Sequence, residues 1–348
     1  MARAPASLWA LVVVRLKEFF REPEAVFWTY IFPILLAGGL GIAFRSQPPQ
    51  PAHIGWAEWG HGGDSFRSAL AGDSGIVLVS LADSSAAALA LRNGTVALVV
   101  VADSGGLRYR YDETRSEAAP ARLKVDDILQ RAAGRRDPLS VRQERVRERG
   151  SRYIDFLLPG LIGLNLMGSG VWGTGFSIVD ARRRKLLKRL LATPMSKAEY
   201  LLSFPLAQLL LLIVEVGTIL VFGVLVFDVP VRGSLATLGL TCAIGSLTFG
   251  ALGLLAAARP TTVEGASGVM NLLLMPMWVV SGVFFSSARF PEVVQPIIRA
   301  LPLTALVDAL RMIMLEGGSL TAIAGKLAVL GLWLLGSFVV ALRIFRWQ

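Results

Sequence analysis

The chain has 348 residues, 54% of them hydrophobic and 17% charged, with a mean hydropathy of +0.58 and a net charge of +10. That apolar share is well above the range of a soluble domain, so the sequence describes a polytopic membrane protein. A single cysteine, Cys242, and two histidines, His53 and His61, exclude a disulfide framework, thiol chemistry and metal-ligand spacing.

Residues 1–25 predict an amphipathic lead-in helix containing Arg15, Lys17, Glu18 and Arg21, lying flat along the inner headgroups. Runs of about 19 apolar residues suit a bilayer core. Six such runs follow: Val26 to Phe44, Phe156 to Val179, Tyr200 to Phe227, Leu235 to Ala258, Gly265 to Phe285 and Ala322 to Ile344. An even number places both termini on one side. Arg15, Lys17, Arg21, the 182–197 loop, Arg343 and Arg346 share that side, which the positive-inside rule makes the cytosol. The first run, 26–44, begins too late for a removable signal peptide and reads as a retained signal anchor. With the net charge explained by topology, nucleic-acid binding is not expected.

Residues 45–152 then lie outside the cell as a small α/β domain and a charged stem. Ala52 to Trp56, Ile76 to Ser80, Thr95 to Val101 and Leu107 to Tyr111 read as strands from their β-branched and alternating content. Asp64 and Asp83 are placed to cap two helices, Asn93-Gly94 to stop the second, and Glu117 to Ala133 suits a third. Residues 153–348 hold the remaining five spans, a cytosolic helix over 181–196 and outer half-inserted helices over 290–318. The expected fold is thus a six-span α-helical membrane protein with an inserted exterior α/β domain.

The 181–196 segment is basic and amphipathic. Leu186, Leu187, Leu190 and Leu191 gather on one face, apart from Arg183, Arg184, Lys188 and Arg189, and the helix stops before Thr193-Pro194. It is either a topological anchor or a docking element for a partner. Within the spans, Asn165, Ser169, Trp172 and Phe176 share a helical face on the second, and Asn271, Met275, Trp278 and Gly282 on the fifth. Glu215 lies deep in the third span, where an ionised carboxylate is costly, so it is a candidate functional group. Asp308 and Arg311, three residues apart after Pro302, are expected to form a mutual salt bridge.

These segments resemble the permease subunit of bacterial type-two ATP-binding-cassette exporters, in the group with a large exterior domain between the first two spans. Arg15-Leu-Lys-Glu-Phe-Phe-Arg21 with Phe32-Pro33 is similar to that family's lead-in helix and first span, and Phe156-Leu-Leu-Pro-Gly-Leu-Ile-Gly163 to the opening of its second. Arg184 to Ser196 resembles its coupling segment, which ends in Arg-Leu-Leu-Ala-Thr-Pro. Met275 to Phe285, with Pro291, Pro296, Pro302 and Asp308-Ala-Leu-Arg311, resembles its signature near the fifth span.

The resemblance implies a homodimer or heterodimer of permeases served by two copies of an ABC ATPase in the bacterial inner membrane. Arg183, Arg184, Leu186, Leu187, Arg189, Leu190, Leu191, Thr193 and Pro194 would couple to that ATPase, assisted by Lys17, Glu18 and Arg21. The second- and fifth-span faces would line a route for a hydrophobic or amphipathic cargo, or else be ordinary helix-packing contacts. Where the family often has acidic residues around the coupling helix, this chain has Arg183, Lys185 and Lys188, so an acidic docking groove on the partner is implied. The sequence has no Gly-x-x-x-x-Gly-Lys-Ser/Thr loop, and Leu327 after Gly325-Lys326 spoils the nearest approach to one. No cofactor is therefore expected on this chain, with ATP and magnesium on the partner. Two other classes fit less well: a membrane enzyme with an exterior site, for which His61-Gly-Gly-Asp64 lacks a nucleophile motif, and a secondary transporter, for which no internal repeat with matching broken helices is present.

Overall fold

The computed structural model describes residues 4–44, 51–60, 63–103, 106–136, 139, 150–185 and 197–345. The chain divides into two compact units, Ser46–Val146 and the remainder, Met1–Arg45 with Arg147–Gln348.

The smaller unit is a four-stranded sheet in the order β2-β1-β3-β4, with β1 Ala52–Ala57, β2 Ile76–Leu81, β3 Leu98–Asp103 and β4 Gly106–Arg110. Strand β1 is parallel to β2 and β3, and β4 closes one edge antiparallel to β3. Because side chains alternate across a strand, Ile54, Trp56, Leu98 and Val100 enter one core with Leu70, Val125 and Leu129 of the flanking helices. Ala57, Leu81 and Val99 enter a second core with Ala87. Asp83 caps its helix, Ser84–Asn93, by accepting the Ala86 N–H at 2.7 Å, and Gly94 ends it at φ +70°. Thr95 donates back to the Ala90 carbonyl through both its N–H and its hydroxyl, which delays β3 to Leu98 rather than Thr95. The helix Asp64–Ala71 starts without a side-chain cap, so the capping role expected of Asp64 is not seen.

The larger unit is helical. A lead-in helix α1, Ala4–Arg21, is followed, among the described residues, by six helices long and apolar enough to cross a membrane: Pro23–Ala43, Tyr153–Arg183, Leu202–Phe227 (within the helix Lys197–Phe227), Leu235–Ala256, Val263–Val280 and Ala324–Ile344. The fifth ends five residues before the expected Phe285, because Gly282 takes φ +79° and breaks the helix. A further helix, Pro302–Glu316, is buried from Pro302 to Val307 and packs against the second, fourth and sixth spans.

The second and fourth spans cross with their backbones in contact. A Cβ at Gly170 would lie 2.7 Å from Phe249 Cβ, and one at Gly253 would lie 2.6 Å from the Val171 carbonyl oxygen. Without a hydrophobic drive between helices in lipid, such close approach is a main source of packing energy. Two π turns widen the helices, Phe27–Ile31 in the first span and Ser169–Gly173 in the second. Such turns are rare and recur at functional sites.

Candidate functional site

The two π turns meet a polar cluster in the middle of the helices. Pro33 has no N–H to offer the Thr29 carbonyl four residues back, and Asn165 Nδ2 of the second span donates to that oxygen at 2.8 Å. One turn on, the Ser169 hydroxyl stands 3.0 and 3.1 Å from the two carboxyl oxygens of Glu215 on the third span. Gln208, two turns before Glu215, donates Nε2 to the same hydroxyl at 3.1 Å. Glu215 is 1% exposed. Asn165, Ser169 and Glu215, named from sequence separately, thus converge on one centre joining the first three spans. Gln208 was missed there, although a second polar residue seven positions from Glu215 in an apolar helix was a readable signal.

The rest of the second-span face is aromatic. Trp172 and Phe176 pack at 4.8 Å between ring centroids and are half-buried. The fifth-span face is placed differently. Ala266, Met270, Leu274 and Met277 are buried, and Met270 reaches Gly175 of the second span, while Asn271, Met275 and Trp278 point away from the chain's own helices. Met275 is 62% and Trp278 44% exposed. Gly282 is buried beyond the helix end.

Arginine clamps hold both ends of the second span. At its start, buried Asp155 accepts the Arg152 N–H at 3.0 Å and the Gly150 N–H at 3.2 Å, and pairs with the Arg152 guanidinium at 2.8 Å. That bond holds the Arg152 guanidinium above its ordinary value, against the opposing effect of burial. Beside it, Arg311 donates to the carbonyls of Phe156 and Gly282 and lies 3.5 Å over the Phe156 ring. Asp308 instead pairs with Lys326 of the sixth span at 2.7 Å. The expected Asp308–Arg311 bridge is therefore replaced by two links to neighbouring helices, because the buried helix turns Arg311 toward the second span.

At the other end, Arg182 is 8% exposed and donates to the carbonyls of Ala257, Ala258 and Pro260 in the turn after the fourth span, with its guanidinium 5.4 Å from the Phe345 ring. Helix ends leave carbonyls without intrahelical donors, and this guanidinium supplies them. Arg184 pairs with Asp180 at 2.8 Å on the surface, and Arg183 is exposed. On α1, Lys17, Glu18 and Arg21 are exposed, whereas Arg15 turns inward, donating to Ser203 Oγ at 2.7 Å with its guanidinium 3.2 Å from the Phe204 ring centroid. Arg15 and Arg182 were hidden in sequence by the basic runs around them. Leu186, Leu187, Lys188, Arg189, Leu190, Leu191, Thr193 and Pro194 lie outside the described residues.

A family model described as ABC-2 family transporter protein matches residues 24–343, from the first span to the last. The chain belongs to the ABC-2 transporter family. It is 27% identical over 167 residues to the ABC transporter G family member 20 of Dictyostelium discoideum, covering 48% of this chain and 23% of that protein. It is also 23% identical over 175 residues to the probable multidrug ABC transporter permease YbhR of Escherichia coli (strain K12), covering 50% of this chain and 48% of that protein. The matched segments thus span less than half the length of either relative. ABC-2 membership and six apolar helices identify a multi-pass membrane component of a transporter.

Proposed function

We propose that this ABC-2 protein is the permease subunit of a bacterial inner-membrane exporter, moving a hydrophobic or amphipathic cargo with energy from a separate ABC ATPase. The observation that carries the reading is the family match across all six spans, residues 24–343. The printed name of the Escherichia coli relative, a probable multidrug permease, supports the cargo class.

In this reading both termini are cytosolic and the 46–146 unit is extracytoplasmic. The basic segment 181–196 docks in a groove of the ATPase, with ATP and magnesium held by that partner. Its movement enters the bundle where Arg182 ties the second span to the turn before the fifth and where Arg15 ties the lead-in helix to the third. Asn271, Met275 and Trp278 support pairing with a second permease chain. A polar asparagine facing lipid is costly, and a partner closing over this face would build a route lined by asparagine, adaptable methionine and flat tryptophan.

Reversing the charge at Arg184 and Arg189 tests the docking role. In vesicles carrying the permease and its ATPase, R184E/R189E is expected to leave membrane insertion and basal ATP hydrolysis intact while abolishing ATP-dependent extrusion of an amphipathic dye. Full transport by this double variant contradicts the proposal. Among the described residues Arg184 pairs with half-buried Asp180 at the surface, and surface pairs contribute about 1 kcal/mol or less, so misfolding is not the expected outcome.

A further inference from the structure

The transport scheme above makes no use of the carboxyl group of Glu215. It is 1% exposed within a helix of 31 residues, and its side-chain hydrogen bonds run to Ser169. Ser169 of the second span bonds to it, Gln208 of its own helix reaches it through Ser169, and the titratable groups near enough to feel its charge are Tyr30 of the first span and Cys242 of the fourth. The Tyr30 hydroxyl is buried with no hydrogen-bond partner among the described residues. No lysine, arginine or histidine among the described residues forms an ion pair with Glu215.

Desolvation and hydrogen bonding together decide its protonation state. An ionised carboxylate buried without a cation costs several kcal/mol, whereas one hydroxyl bond to a charged group returns about 1.5–3 kcal/mol. The hydrogen count agrees. Ser169 has one proton and two lone pairs, and its oxygen also stands 3.4 Å from the Leu166 carbonyl. If Glu215 is ionised, that single proton is drawn to it and away from Leu166. If Glu215 carries a proton, it and Gln208 both donate to Ser169 Oγ, and Ser169 donates to Leu166. Every donor and acceptor position on the serine is then filled.

We propose that Glu215 is a proton-binding site within the membrane, and that the neutral acid, acting through Ser169, locks the π turns of the first two spans to the third. Asn165, one turn from Ser169, extends the lock to the Thr29 carbonyl. Glu215 is thus a positioning residue, and transport requires its proton.

Infrared spectroscopy of the full-length chain in lipid nanodiscs tests the proton directly, without recourse to transport. A carboxylic-acid carbonyl band is expected at neutral pH that E215Q lacks; its absence at neutral pH overturns the proposal. The lock is tested by vanadate-sensitive ATP hydrolysis of the reconstituted complex across an alkaline titration. The glutamine amide donates to Ser169 at every pH, so the wild-type rate should fall relative to E215Q by up to about tenfold per pH unit once the acid ionises. E215A, which has no donor, should be impaired at every pH. A ratio of wild type to E215Q that does not change with pH overturns the lock.

Discussion

Replacing Arg182 by methionine keeps an apolar stem and removes the guanidinium that closes the inner end of the second span. Nη1 reaches Ala257 at 3.0 Å and also Pro260, and Nη2 reaches Ala258 at 3.3 Å. A hydrogen bond to a charged group contributes about 1.5–3 kcal/mol, and the two Nη1 bonds set a gross loss near 4 kcal/mol, reduced because methionine no longer has a buried charge to desolvate. A net local cost of about 3 kcal/mol follows, on the order of a hundredfold in the opening equilibrium of the turn after the fourth span. Amide hydrogen exchange over residues 254–262 of the membrane-reconstituted chain reads that opening, since local unfolding exposes those amides. R182M should speed exchange there by about that factor while leaving residues 153–165 unchanged, and R182K should fall between, because an ammonium cannot span the same carbonyls in a fixed fork. Exchange in 254–262 that stays within a few-fold of wild type would refute the clamp.

Alanine at Gly253 places a Cβ 2.6 Å from the Val171 carbonyl oxygen, so G253A should lower thermal stability in detergent by about 1–3 kcal/mol. G239A, on the same helix with open space around it, should be neutral. Trp278 is exposed and Trp172 packs against Phe176 and the core, so W278A is expected to change dye selectivity at unchanged folded yield, and W172A to reduce that yield. Burial, aided by its bond to Asp126, pushes the Tyr109 phenol up to about 12. Because the folded value is raised above the unfolded one of about 10, the stability it contributes is complete below pH 10 and is lost as pH climbs toward 12. The tyrosinate absorbance that disappears in Y109F should titrate near 12; titration near 10 would contradict the buried placement.

The spans and strands were legible because each rests on a local pattern. Long apolar runs define the helices, and alternation around Ile54, Trp56, Leu98 and Val100 defines two faces of a sheet. What escaped depended on partners distant in sequence. Asp308 looked paired with Arg311 three residues away, yet its partner is Lys326, and Arg311 reaches Phe156, 155 positions upstream. The fifth span looked five residues longer than it is, since hydropathy does not register the left-handed turn at Gly282. The polar centre was half visible. Glu215 stood out by charge alone, but its link to Ser169 depends on how the second and third spans pack. The Thr29 carbonyl was readable in principle, because Pro33 marks it as lacking a donor.

The central claim is that this ABC-2 chain moves cargo only when a separate ATPase hydrolyses ATP. Dye extrusion from proteoliposomes should require the permease and the ATPase together, depend on ATP and stop with vanadate. Undiminished extrusion by the permease alone, driven by an ion gradient, would contradict it.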